Sequence, residues 1–168
     1  MRPSIFIATA ALLAASVHAQ LTPVDPDWRE TRAPAPPVLK TDGLILLEIA
    51  GSNLRTGVQP DSISIGADGI VRYVVVATSS SGAVNAMYEG VRCSSGDLKV
   101  YARHNPDSGW VPVKDSQWRS LHDLPISRHS LMVARTGACM GRGTNISAER
   151  IARDLKAPVD TRFRSELR

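Results

Sequence analysis

Residues 62–93, SISIGADGIVRYVVVATSSSGAVNAMYEGVRC, decide the fold. Ser62-Ile63-Ser64-Ile65 alternates, which puts Ile63 and Ile65 on one face of a strand. Gly66-Ala67-Asp68-Gly69 is hairpin punctuation between apolar runs. Ile70 to Thr78 (IVRYVVVAT) is dense in β-branched residues and apolar on both faces except at Arg72. That pattern predicts a central strand covered on both sides. Ser79-Ser80-Ser81-Gly82 is a second turn. In the third strand, residues 83–93, Val84, Ala86 and Tyr88 share one face. Asn85, Met87, Glu89, Val91 and Cys93 share the other.

Downstream, Leu98, Val100 and Ala102 alternate with Lys99, Tyr101 and Arg103, a half-exposed fourth strand. Residues 62–103 thus read as an antiparallel meander. Trp110 to Val113 predicts a short strand that Pro112 confines to an edge. Trp118 and Leu121 are spaced as on a helical turn. Ser130 to Arg135 (SLMVAR) predicts a last strand leading to Cys139. Gly137, Gly141 and Gly143 then read as a flexible link. Upstream, Leu44 to Ile49 (LILLEI) has strand length. Ser147 to Lys156 predicts a helix, with Asn145 or Ser147 as its cap and Ala148, Ile151, Ala152 and Leu155 as its apolar stripe. The predicted fold class is α+β: an antiparallel sheet of five or six strands with one C-terminal helix packed on it and one disulfide.

The chain has 168 residues and a formal net charge of +4. Arg2, the apolar run Ile5 to Val17 and the small residues Val17 and Ala19 predict a cleavable export signal over residues 1–19. The apolar run is too short to span a bilayer. Residues 20–41 carry Pro23, Pro26, Pro34, Pro36 and Pro37, a density that excludes helix and central strand. They predict an extended leader whose Trp28 either pins it to the body, the favoured reading, or contacts a partner. A single β-rich domain follows over residues 42–157, then a disordered basic tail over residues 158–168.

In an exported chain the only two cysteines, Cys93 and Cys139, are expected to pair. No CxxC or HxxxH spacing is present, and His104, His122 and His129 fall in loop-like sequence, so no metal or other cofactor is expected. Basic residues near the C-terminus are interleaved with Glu149, Asp154, Asp160 and Glu166. That interruption argues against nucleic acid as a partner. The expected partner is an envelope protein or cell-wall component.

Catalytic motifs are missing from the sequence: there is no G-x-S-x-G elbow and no S-x-x-K pair. Ser79, Ser80 and Ser81 are better explained as a turn than as nucleophiles. The candidate polar cluster is Arg72, Asn85, Glu89 and Arg92. If the Glu89 face is buried, its carboxylate needs a partner, and Arg72 on the neighbouring strand is the candidate. Either a ligand-binding or acid–base carboxylate, or an ion pair fixing strand register, fits these residues. The leading functional expectation is a non-enzymatic binding or interaction module. The alternative is a small hydrolase using loop Ser and His residues with Glu89.

Three phrases carry a family resemblance: Asp27-Trp28-Arg29-Glu30 before the prolines, Gly69-Ile70-Val71-Arg72-Tyr73, and Tyr88-Glu89-Gly90-Val91-Arg92-Cys93. With Ser79 to Ala83 and the distant Cys139, they resemble the cryptic neisserial protein-like family of small exported proteobacterial proteins. The resemblance covers roughly residues 27–140 and leaves the C-terminal helix outside. It implies a periplasmic or secreted protein of a Gram-negative bacterium. It brings no activity and no catalytic residues.

Overall fold

In the computed structural model of the protein, β4 (Ile70–Thr78) is the centre of the main sheet. The structure describes residues 25–123 and 128–157. The export signal and the basic tail expected from the sequence lie outside the described residues. Ile70 to Val76 are all buried, as the two-sided apolar pattern predicts.

Around β4 stand β1 (Ile45–Leu47), β2 (Arg55–Val58), β3 (Ser64–Ile65), β5 (Val84–Arg92), β6 (Asp97–Asn105), β7 (Gly109–Pro112) and β8 (Arg119–Ser120). The sheet is antiparallel, in the order β1-β2-β4-β5-β6-β7. Two short strands share edges already in use: β3 pairs with β4 beside β2, and β8 pairs with β6 beside β7. Strand β2 escaped the sequence reading because Arg55-Thr56-Gly57-Val58 has little β signal. It is held as a strand by pairing with β1 on one side and β4 on the other, and Gly57 admits the close approach, since a Cβ there would stand 2.8 Å from the Leu44 side chain. Between β2 and β3 the ladder is interrupted by a 3-10 turn, Pro60–Ser62. Ser62 repairs the gap: its hydroxyl accepts from the Val74 amide at 2.8 Å and donates to the Gln59 carbonyl.

Two corrections concern segments with little alternation. Ser130 to Arg135 is not a strand. Helix α1 (Arg128–Val133) runs into a π-helical turn, Ala134–Ala138. A six-residue apolar run fits both states, and burial of Ser130, Val133 and Ala134 at i, i+3 and i+4 is helical. Trp118 and Leu121 are not on a helical turn either. Arg119–Ser120 is extended, and the Leu121 amide donates to the Gly96 carbonyl at 2.9 Å.

Strands β9 (Cys139–Met140) and β10 (Gly143–Thr144) form a separate hairpin, so Gly141 lies in its turn and Gly143 in β10 rather than in a flexible link. Helix α2 (Ala148–Lys156) is capped by Ser147, whose hydroxyl accepts from the Arg150 amide at 3.1 Å. Asn145 has a different task. Its side-chain amide donates to the Gly137 carbonyl and to Asp154, joining the π-turn to α2. Gly137 faces Leu155 so closely that a Cβ there would stand 2.7 Å away.

The two faces of the sheet are covered differently. Tyr73, Val75, Val91 and Cys93 face α1, the π-turn and α2. The Cys93–Cys139 disulfide closes this side, with Cα atoms 5.5 Å apart. The opposite face, formed by Val74, Val76, Ala86, Tyr88 and Ala102, is covered by the proline-rich leader through Ala33 and Leu39. Among the described residues no helix is long and apolar enough to cross a membrane.

Candidate functional site

The strand register separates the four candidate residues. In the β4–β5 ladder Arg72 stands opposite Gly90, and Tyr73 opposite Glu89. Successive side chains on a strand point to opposite faces, so Arg72 and Glu89 cannot pair. Arg72 and Arg92 belong to the leader face and Glu89 to the helix face. Asn85 shares the Glu89 face but is exposed at the other end of β5. The expected Arg72–Glu89 ion pair is therefore replaced by two polar centres, one on each side of the sheet.

On the helix face, Glu89 is 1% exposed. Its Oε2 accepts from the Tyr73 hydroxyl at 3.1 Å and from the Ser130 hydroxyl at 2.9 Å. Its Oε1 lies 2.9 Å from His129 Nε2. Burial by itself would lower the His129 pKa, and Arg103 acts in the same direction. The hydrogen bond and charge of Glu89 outweigh both and hold it above its ordinary 6.5. Burial, reinforced by the Glu89 charge, pushes the Tyr73 phenol well above its ordinary value. The centre fastens α1 to the middle of β4 and β5.

These three groups do not form a nucleophilic triad. Such a triad places the histidine between the nucleophile and the acid. Here the carboxylate stands between them, binding Ser130 on one oxygen and His129 on the other. Ser130 is fully buried. Ser79 and Ser81 lie beyond the end of β4, in the turn to β5. They bond each other at 2.8 Å in an exposed turn, where Ser79 also accepts from the Ala83 amide.

On the leader face, Arg72 forms a two-pronged pair with Asp68 at 3.1 and 2.7 Å, and both side chains are buried. Burial would raise the Asp68 pKa. Hydrogen bonds from Arg72, from the Thr31 hydroxyl and from the Ile70 and Thr31 amides overcome it and hold the carboxyl well below the usual carboxylate range. Gly66 makes room for this pair, since a Cβ there would collide with the Asp68 carboxylate and the Arg72 guanidinium. The pair grips the leader by its backbone: the Thr31 amide donates to Asp68 at 2.9 Å, and Arg72 donates to the Thr31 carbonyl at 3.2 Å.

Beside it, Arg92 lies 3.8 Å over the Trp28 ring, and Trp28 meets Trp118 edge to face. The Trp28 indole donates to the Asp68 carbonyl at 2.8 Å, so Trp28 does pin the leader to the body. Glu30 accepts from Lys99 at 2.8 Å and from the Trp118 indole at 3.1 Å. At the other end of the leader, the Gln59 side chain accepts from the Lys40 amide and donates to the Val38 carbonyl, both at 3.1 Å. The Trp110 indole donates to the Pro37 carbonyl at 2.8 Å.

Sequence reasoning missed most of these partners. Asp68 reads as a turn residue, and its position four before Arg72 across a tight turn is the only local hint. His129 and Ser130 meet Glu89 only because α1 folds back over the sheet, for which the sequence has no local signal.

The fold and these centres define a small, disulfide-bonded α+β protein whose sheet is sealed by helices on one face and by an extended leader on the other. The chain belongs to the CNP1-like family, whose profile matches residues 24–156. The match takes in α2, which the sequence comparison by phrases left outside. No curated protein and no solved structure gives a significant match. The phrases that carried the resemblance meet in space: Trp28 stacks on Arg92, and Ile70 to Tyr73 pair with Arg92 to Glu89 across the β4–β5 ladder.

Proposed function

We propose that the protein is an exported, non-enzymatic binding or interaction module of the bacterial cell envelope. Residues 1–19 serve as a signal cleaved after Ala19, residues 20–41 as a leader, residues 42–157 as the domain, and residues 158–168 as a basic tail. The observation that carries this reading is that both polar centres are closed on themselves. Glu89 is consumed by Tyr73, His129 and Ser130, and Asp68 by Arg72 and Thr31. A general acid or base needs access to a substrate proton, and neither carboxylate offers it. The Cys93–Cys139 disulfide supports an oxidising compartment. The expected partner is an envelope protein or cell-wall component, and the chain calls for no cofactor.

Two measurements test this. A tagged full-length chain in its host should fractionate with the periplasm or medium, and its intact mass should rise by two hydrogens on reduction. Cytoplasmic retention with free thiols would overturn the location. Crosslinking in living cells should then capture an envelope component.

A second reading, a small hydrolase using Ser130 and His129 with Glu89, is favoured by the convergence of the three groups. Their order and the burial of Ser130 weigh against it. Labelling of Ser130 by a fluorophosphonate probe, absent in Ser130→Ala, would establish it.

A further inference from the structure

The leader is bound to the sheet as a ligand is bound, not as a strand is paired. Residues 28–40 form neither helix nor strand. Their backbone is held by side chains at three stations. Asp68 and Arg72 take the amide and carbonyl of Thr31, Trp110 takes the carbonyl of Pro37, and Gln59 takes the carbonyl of Val38 and the amide of Lys40. Arg72 and Gln59 are 2% and 1% exposed, so these stations are built into the body. Between them Ala33 and Leu39 pack into an apolar cluster that also includes Tyr88, Tyr101 and Trp110. An aromatic-lined groove with an indole N–H aimed at a proline carbonyl is how extended, proline-rich peptides are recognised, because such peptides lose little conformational entropy on docking. Backbone contacts at two ends and apolar contacts between them define a peptide site.

We propose that this face is a binding groove for an extended, proline-rich peptide segment of a partner protein, and that the chain's own leader occupies it as an intramolecular ligand. The proposal rests on the binding-module reading and assigns the partner's chemistry: a hydroxyl residue at the Asp68–Arg72 station, prolines where Pro36 and Pro37 lie half-buried, and an aliphatic residue beside Gln59. The connection Thr41 to Gly43 is exposed, and Gly43 has φ +63°, a left-handed turn that glycine adopts without strain. A partner competes with a tethered ligand, so its apparent affinity is reduced by the fraction of time that the leader is docked.

The test uses the full chain with a protease site placed at residues 41–43. After cutting, the leader fragment should co-elute with the body. A fluorescent peptide of residues 25–40 should then exchange with it and bind saturably by anisotropy. The same peptide with Pro34, Pro36 and Pro37 replaced by Ala should bind at least tenfold more weakly, and this comparison leaves the body unaltered. In the uncut chain, Trp28→Ala should let the labelled peptide bind at a concentration at least tenfold lower than the unaltered chain requires. Absence of saturable binding to the cut chain, or equal binding of the proline-free peptide, overturns the groove. So does arm exchange between two copies, seen as a dimer that takes up no peptide. Envelope localisation is measured separately, so a failed groove and a failed location are distinguishable.

Discussion

Glu89 brings a carboxylate into the middle of the sheet, where three donors from two elements surround it. Replacing it with Gln keeps the shape and removes the charge, so Tyr73, Ser130 and His129 lose a charged acceptor. Glu89→Gln should cost about 2 kcal/mol, given ~1.5–3 kcal/mol for hydrogen bonds to a charged group, measured by urea unfolding. His129 makes this centre pH-dependent. Its folded pKa is raised above the unfolded value of 6.5. Its contribution is therefore complete below 6.5 and is lost as pH rises through the raised native value. Stability should fall over that window, and His129→Asn should flatten the fall. Asp68 acts at the acid end with the opposite sign. Its carboxyl is depressed, so its contribution is complete above its ordinary 3.8 and lost as pH falls below it. Asp68→Asn leaves the Arg72 guanidinium buried without its counter-charge and should cost about 3–5 kcal/mol in the same urea assay.

At the scale of elements, β4 to β6 and α2 are legible in the sequence because their patterning and burial agree. Ile70 to Val76 is apolar on both faces, and the Ile151–Leu155 stripe has helical period. Helix α1 is not legible, since six residues of mixed apolar character contain less than two turns of periodicity. The leader is legible as extended, but its docking depends on side chains up to 88 positions away, which no local pattern reports. Of the candidate site, the sequence marks Glu89 as a carboxylate that needs a partner if its face is buried and offers Arg72, whereas Glu89 takes His129 and Arg72 takes Asp68. The error arose because the register places Tyr73, not Arg72, across from Glu89. Gly90 gives a test at this scale. A Cβ there would stand 2.8 Å from both the Ile70 side chain and the Tyr101 ring. Gly90→Ala should destabilise by about 1–3 kcal/mol through overpacking. Thermal unfolding checks this, and no change in Tm would show that Tyr101 can move aside.

For the whole molecule, the disulfide spans 46 residues, from the end of β5 to β9. Closing a loop of that length stabilises the fold by about 4 kcal/mol in the chain-entropy treatment. Reduction should lower the urea midpoint accordingly, and an unchanged midpoint would show that the link adds nothing to packing already present. The bond also joins the sheet to the hairpin that follows the π-turn. Its loss should therefore loosen the helix face more than the leader face, which hydrogen exchange with and without reductant would resolve.

The leader's grip also sets an order of events in folding. Its contacts close loops of 37 residues to Asp68, 73 to Trp110 and 88 to Trp118. Long loops are entropically expensive to close before their ends have fixed partners, and those partners are rigid only once β4 to β8 have assembled. The leader should be the last segment to settle and the first to detach. In native-state hydrogen exchange the Thr31 and Lys40 amides should open with a smaller free energy than the Val74 amide at the centre of the sheet.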